Sequence, residues 1–341
     1  MDNHHNNCVG WDIGGAHVKI AYIENQSLIV KQWECPLWKG IDQLSSVLKI
    51  AFRAIPPLIQ LHQVTMTGEL VDIFIDRQDG VIKIIETFES NIPESHIAKY
   101  FSSKGKLERQ AAIDNYQDVA SANWIASGKC IEKFHENIIF VDIGSTTTDV
   151  LIVENSKLVL NSRSDFDRLR SGELVYTGVV RSCVNTITSQ VTYKGDKIPL
   201  IAELFAVSAD IYRILGTLPE HADLYSTMDG QPKDKISSMR RLARMLGEDY
   251  REDDHDAWMS VANEIAREQR KLILKSITKQ LKINPQISQI IGAGVGRFLL
   301  KEISEDLSLP YSDFIASILP TEIHYQSHAA DCAPAIAMLF E

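Results

Sequence analysis

Residues 11–30 read WDIGGAHVKIAYIENQSLIV, and residues 141–160 read VDIGSTTTDVLIVENSKLVL. The two stretches align without a gap at an offset of 130, with six identities in 20 positions: Asp12/Asp142, Ile13/Ile143, Gly14/Gly144, Glu24/Glu154, Asn25/Asn155 and Leu28/Leu158. Apolar residues also match at Ile20/Val150, Tyr22/Ile152 and Ile23/Val153. Each copy reads as three strands. In the second, the apolar run NIIFVDI at 137–143 ends in the turn Gly144-Ser-Thr-Thr, and a β-branched run follows at 149–153. Glu154-Asn-Ser-Lys then turns the chain, and Leu158-Val-Leu opens the third strand. The first copy repeats this with Gly14-Gly15-Ala16 as its turn. Two like halves predict two lobes around a cleft, with a single sheet bearing two similar hairpins as the alternative.

Outside the repeat the pattern is mostly helical. Apolar residues fall at helical spacing over 41–52, 236–246 and 260–281. Residues 114–129 read as a helix stopped at Gly128, and residues 202–215 as one ended by Gly216. Residues 287–291 read as a strand, followed by a glycine turn and a helix from Arg297. Residues 220–235, rich in Asp, Gly and Pro, read as a loop.

A chain of 341 residues suggests about two domains. Its 35 Lys and Arg against 45 Asp and Glu give a net charge of −10, which argues against a general nucleic-acid or anionic-membrane binder. Hydrophobic residues at 45% and charged residues at 23% are ordinary for a globular protein. Five scattered cysteines with no CxxC pair fit unpaired thiols in a reducing compartment. The stretch MDNHHNN lacks the basic and apolar parts of a signal peptide, and no run approaches 18 uninterrupted apolar residues. The expectation is a cytoplasmic α/β protein with no membrane and no nucleic-acid partner.

The two glycine turns carry the chemistry. Gly14 and Gly15 in the first, and Gly144, Ser145, Thr146 and Thr147 in the second, offer backbone N–H groups and hydroxyls to a bound anion. Asp12 and Asp142 end the strands before them, where a carboxylate suits Mg²⁺ or its waters rather than phosphate itself. Plain hairpin chemistry, with Gly for positive φ and Asp or Thr as turn residues, is the competing account. The repeat favours a site for a polyphosphate gripped through a metal. A third turn, Ile291-Gly-Ala-Gly-Val-Gly-Arg297, follows an apolar strand and opens a helix, which suits Gly292 and Gly294 to close backbone approach to a ligand.

In this order the three turns resemble the actin-like ATPase superfamily, a duplicated ribonuclease H-like α/β fold with mixed sheets that includes sugar kinases, Hsp70 and actin. The resemblance implies a first lobe over 1–135 with a C-terminal helix at 328–341, and a second lobe over 136–327 with helical insertions. It also implies that the first two turns bind phosphate and the third holds adenosine. Further strings recur as a set: MTGEL at 66–70, ANW at 122–124, VDIGSTTTD at 141–149, GELVYTG at 172–178, AELF at 202–205 with Ala209-Asp210, and LARM at 242–245. This set resembles the hydantoinase/oxoprolinase-related proteins of tetrahydromethanopterin-linked C1 transfer, a family that includes an ether synthase of methanofuran biosynthesis. The resemblance implies a transferase joining a furanylmethyl diphosphate to the phenol oxygen of γ-glutamyltyramine, with release of diphosphate and with Mg²⁺ as cofactor. An ATP-dependent small-molecule kinase is the rival reading, with ATP a less favoured ligand. A non-catalytic nucleotide-gated partner protein is the third, and a homodimer is compatible with each. In the first turn the family pattern has Asn-Thr where this chain has His17-Val18, so anion contacts there fall to backbone N–H groups, Lys19 or His17.

Among single residues, Asp12 and Asp142 are the expected Mg²⁺ holders and catalytic carboxylates. Lys19 could neutralise diphosphate or face solvent. Asp149, the counterpart of Lys19 in the second copy, is a candidate base or support to the metal. Glu69 is a candidate base or amine binder, or a helix-start acid stabilised by the dipole. Glu173, with Tyr176 beside it, is a candidate of the same kind. Trp124 reads as core. Arg163, Arg168, Arg170 and Arg181 lie among Asp165, Asp167 and Glu173, which favours a solvated ion-pair face over an anion site. Asp223 and Asp229 read equally as metal or amine ligands and as turn residues.

Overall fold

The structure is a computed structural model and describes residues 7–162 and 164–341. Arg163 and the first six residues of the polar N-terminal stretch lie outside the described residues. The chain divides into two compact units: residues 1–136, 153–159 and 313–341 form one, and residues 137–152 and 160–312 the other. Residues 313–327, placed with the second lobe in the sequence reading, pack instead with the first unit. The reason is the two-residue strand His324–Tyr325, which pairs in parallel with Ser27 and Leu28 at the edge of the first sheet.

In the first unit the repeat forms three antiparallel strands, β1 (Cys8–Ile13), β2 (His17–Glu24) and β3 (Ser27–Glu34). The β2–β3 turn puts Asn25 and Gln26 at φ 48° and 57°, the left-handed pair that a tight hairpin requires. On the other side β1 pairs in parallel with β4 (Leu61–Met66), β4 in parallel with β5 (Ile97–Ser102), and β5 antiparallel with β6 (Gly105–Leu107). Helices Ile41–Arg53 and Arg77–Glu89 bury Leu44, Leu48, Val81, Ile84, Ile85 and Phe88 in the core of this unit. Gly10 sits where a Cβ would overlap the carbonyl of Ala335, so the helix Ala333–Ala337 lies directly on β1.

The second unit repeats the plan around β7 (Ile138–Ile143) and β8 (Thr148–Glu154). The third strand of this second copy is much shorter than the sequence suggests, only β9 (Lys157–Leu158), because the chain leaves the ladder at Val159, and residues 153–159 belong to the first unit. The Asn155–Ser156 turn nevertheless has φ values of 52° and 58°, matching its counterpart in the first copy. Leu158 then packs on Gly128, where a Cβ would lie 2.7 Å from both of its methyl groups. Gly128 therefore does not stop a helix but lies within Asn123–Ile131 to make room for Leu158. The single helix read over 114–129 is two, Tyr116–Val119 and Asn123–Ile131, parted at Ser121, whose φ is 51°, and a further helix, Arg109–Asp114, ends where it was expected to begin.

β8 pairs antiparallel with β10 (Leu174–Val175). The hairpin of β11 (Gln190–Tyr193) and β12 (Asp196–Pro199) stands apart from that sheet. β7 pairs in parallel with β13 (Gln289–Ala293), which β14 (Tyr311–Asp313) flanks. The helix Ser208–Leu215 is shorter than the 202–215 expected and ends at left-handed Gly216. It packs with Lys235–Arg244 and the long helix His255–Ile283 around Trp258, Ile265, Met239 and Leu242. The five cysteines are all free thiols, and no helix among the described residues is long and apolar enough to cross a membrane.

Candidate functional site

Both glycine turns close in the same way. The Gly14 N–H donates to the His17 carbonyl at 2.9 Å, and the Gly144 N–H donates to the Thr147 carbonyl at 2.8 Å. The likeness extends past the 20-residue repeat. Ile13 and Ile143, each following the turn aspartate, both accept from the loop after the neighbouring parallel strand: from the Thr67 N–H at 2.9 Å and from the Gly296 N–H at 2.8 Å. The MTGE segment after β4 is thus the structural counterpart of the GAGVG segment after β13. The two stretches share only a glycine, Gly68 against Gly296 when the strands are aligned by register, so it is the register of β1 with β4 and of β7 with β13 that reveals the likeness.

In the first turn, Asp12 lies in register with Lys19 on β2 and with Thr65 on β4. Side chains in register on adjacent strands share a face of the sheet. Asp12, His17 and Thr65 are all buried. The Lys19 ammonium donates to the Asp331 carbonyl at 2.9 Å, which ties it to the C-terminal segment rather than leaving it in solvent. Gly15 is kept free of a side chain by Val71, whose methyl group would lie 2.6 Å from a Cβ. Glu69 follows Gly68 in the counterpart loop and is buried, and its Oε1 accepts from the Ser121 hydroxyl at 2.7 Å.

In the second turn, Asp142 is the register partner of Ala293, and the third glycine turn comes directly up to it. A Cβ on Gly294, whose φ is +81°, would overlap Asp142 Oδ1 and the Ile143 carbonyl. Gly292 has a different function: Tyr311 and Leu300 would stand 2.5 and 2.7 Å from a Cβ there, so it serves packing beneath the turn. The structure therefore brings Asp142, Gly144, Ser145, Thr146, Thr147 and Gly294 together in the second unit, and Asp12, Gly14, Gly15 and Lys19 in the first.

The loop after GELVY wraps the second turn. The N–H groups of Val179, Val180 and Arg181 donate to the carbonyls of Gly144 (3.1 Å), Ser145 (3.1 Å) and Ser145 (2.9 Å). A Cβ on Gly178 would lie 2.5 Å from the Thr146 nitrogen. Nothing within GELVYTG announces this contact apart from the glycine at its end.

Two carboxylates expected to be catalytic are already engaged. Asp149 Oδ1 accepts from Arg168 Nη2 at 2.7 Å, and the Arg168 side chain is only 2% exposed. Arg168 is thus a buried structural partner rather than part of a solvated face, although Arg170 remains exposed and pairs with Asp167 at 3.5 Å. Glu173 Oε2 accepts from the Ser171 hydroxyl at 2.9 Å. Tyr176 is exposed and Trp124 is core, the latter as expected. Asp223 and Asp229 pin the 217–234 loop to Arg213 at 2.7 Å and Arg241 at 3.0 Å.

Mg²⁺ typically keeps several waters and uses one or two protein carboxylates besides substrate phosphates. Asp142, with its carboxylate cradled by a glycine, suits such a sparse donor set in the second unit, and Asp12, buried beside Lys19, suits one in the first. Among the described residues no group of three or more His, Cys, Asp or Glu is placed to form an all-protein metal cage. Such a site would depend on the substrate's phosphates to complete it.

Duplicated units, each with a glycine turn closed behind a strand-terminal aspartate, define a protein of the actin-like ATPase fold class. An acetone carboxylase in its nucleotide-free state shares this fold, with a TM-score of 0.53 over 98% of this chain and 70% of that one at 8% identity. Residues 60–316 match the hydantoinase/oxoprolinase family, and the chain belongs to it. It is 32% identical over 305 residues to a Methanocaldococcus jannaschii protein named (4-{4-[2-(γ-L-glutamylamino)ethyl]phenoxymethyl}furan-2-yl)methanamine synthase, covering 88% of this chain and 89% of that one. A Methanococcus vannielii protein of the same name is 29% identical over 177 residues, covering 52% of this chain and 79% of its own length.

Proposed function

We propose that this protein is the ether-forming transferase of methanofuran-type C1-carrier biosynthesis. It joins an aminomethylfuran diphosphate to the phenol oxygen of γ-glutamyltyramine. The bond between the furan methylene and the diphosphate oxygen breaks, and its electron pair leaves with diphosphate. The phenol oxygen bonds to the same carbon, and its proton passes to a base. The observation that carries this reading is the 32% identity, over nearly the whole of both chains, with a relative named for that ether product.

The chemistry suits the turns. The furan ring can stabilise positive charge on its methylene, so the barrier lies chiefly in the departure of diphosphate. Backbone N–H groups and the hydroxyls of Ser145, Thr146 and Thr147 would absorb the developing negative charge. Asp12 in the first unit and Asp142 in the second are each suited to hold Mg²⁺, which would supply charge neutralisation on the leaving group. Lys19, in register with Asp12, sets the electrostatics of the first turn. Of the three other carboxylates, Glu69 is the favoured base for the phenol, whose pKa of about 10 calls for one. It lies in the loop that caps the first turn, with its Oε1 oriented by the Ser121 hydroxyl, whereas the Asp149 charge is paired with Arg168 and Glu173 is bonded to Ser171, outside both glycine turns.

The test supplies Mg²⁺, the furan diphosphate and γ-glutamyltyramine, and follows products by mass. Ether and diphosphate in equal amounts without ATP are the expected result. Conversion of ATP to ADP with a phosphorylated small molecule, and no ether, would overturn the reading in favour of a kinase.

A further inference from the structure

We propose that Gln269 is a positioning residue for diphosphate, acting through Thr177 and Gly178 on the second glycine turn; this rests on the reading of that turn as the anion site. Gln269 lies on the helix His255–Ile283, nowhere near the turn in sequence, and is 1% exposed. Its amide nitrogen donates to Thr177 Oγ1 at 2.7 Å and to the Gly178 carbonyl at 2.8 Å. Its amide oxygen accepts from the Tyr212 hydroxyl at 2.7 Å, which fixes which way the amide faces.

Three more groups converge on the same two residues. Ser208 Oγ donates to the Gly178 carbonyl at 2.8 Å, Ser182 Oγ accepts from the Gly178 N–H at 2.8 Å, and Thr148 Oγ1 donates to the Thr177 carbonyl at 2.8 Å. All of these side chains are buried. A buried polar network with every bond made costs much to disturb and selects one arrangement. The arrangement selected here presses Gly178 against the Ser145–Thr146 peptide, closer than any side chain would allow. It thereby sets the orientation of the Thr146 N–H, one of the donors in the anion turn. A network built only for stability would not need to end on a bare backbone contact at that peptide.

The experiment measures binding of inorganic diphosphate with Mg²⁺ by calorimetry, and the KM for each substrate, in the wild type, Gln269→Leu and Tyr212→Phe. Gln269→Leu removes both donors at similar volume. It is expected to weaken diphosphate binding about tenfold, the loss of one to two hydrogen bonds. It should raise KM for the furan diphosphate while leaving KM for γ-glutamyltyramine unchanged. Tyr212→Phe keeps the ring against Phe298 and removes only the hydroxyl, and is expected to weaken binding about threefold. Unchanged diphosphate affinity in folded Gln269→Leu, or an equal rise in both KM values, overturns the inference while leaving the transferase reading intact. If Gln269→Leu does not fold, unchanged affinity in Tyr212→Phe overturns it. A wild type that binds no diphosphate overturns both.

Discussion

Gly294 stands against the Asp142 carboxylate so closely that even a methyl group could not be placed between them. The glycine is also left-handed, at φ +81°. Gly294→Ala must therefore displace the carboxylate and adopt a strained backbone, which costs an L-residue about 1–2 kcal/mol before any clash. The expected outcome is a melting temperature several degrees lower and loss of most diphosphate binding. Near-normal binding would show that Asp142 is not held in place by this turn.

The Asp149–Arg168 pair predicts a stability effect rather than a catalytic one. Asp149→Asn removes the carboxylate charge that the nearly fully buried Arg168 guanidinium meets at 2.7 Å. Breaking a buried pair from one side typically costs about 3–5 kcal/mol. Denaturant unfolding followed by fluorescence should show that loss, and ether synthesis under conditions where the variant is folded should fall far less than in Asp142→Asn. An equal activity loss in the two would mean that Asp149 takes part in the chemistry.

His62 gives the first unit a pH dependence. Its Nδ1 accepts from Trp11 Nε1 at 3.0 Å, and its Nε2 meets His96 Nδ1 at 2.9 Å. Burial, with the neighbouring His96, pushes its pKa down to about 3. The folded ring is neutral, whereas in the unfolded chain it titrates near 6.5. The unfolded state thus binds the extra proton between those values, so stability is full above about pH 6.5 and is lost as pH falls toward 3. The slope approaches about 1.4 kcal/mol per pH unit inside that window. His62→Gln, compared with the wild type in urea at pH 7.5 and pH 5, should show a smaller loss on acidification. A loss equal to that of the wild type would assign the effect elsewhere.

The 217–234 loop is fastened by charge. Asp229 bridges Arg241 at 3.0 Å and Arg244 at 3.3 Å, and Asp223 holds Arg213. Tyr225 in the same loop faces the Arg181 guanidinium, 5.5 Å from its ring centre. Asp229→Ala is expected to expose the loop to limited proteolysis several-fold faster than in the wild type, with the nick inside 217–234. Resistance equal to the wild type would place the fastening at Asp223 alone.

The parts of this protein that were legible in its sequence are those written in local signals. Glu24-Asn25 and Glu154-Asn155 mark tight hairpins, and Asp-Ile-Gly marks the turns, because turn geometry restricts residue type over three or four positions. The long helix ending at Ile283 was legible from its period, and only its ends moved. What stayed hidden depends on residues far apart in the chain. Nothing around Ser121 announces a left-handed break, and nothing around Gln269 points to Gly178, 91 residues away. Arg168 looked like a surface charge because its neighbours in sequence are charged, while its partner Asp149 comes from β8. The equivalence of the MTGE and GAGVG loops lies in backbone bonds that many sequences can make.

Gly10 on β1 was left bare for the carbonyl of Ala335, and this sets an order of events during synthesis. Strand β1 leaves the ribosome more than 300 residues before the helix Ala333–Ala337 that covers it. Residues 137–312 contain the whole of the second unit and emerge before that cover exists. The first unit must wait with one face of β1 open while its neighbour already has all of its own residues. Loss of the helix Ala333–Ala337 should therefore trap nascent protein with a finished second unit and a sticky, chaperone-dependent first one.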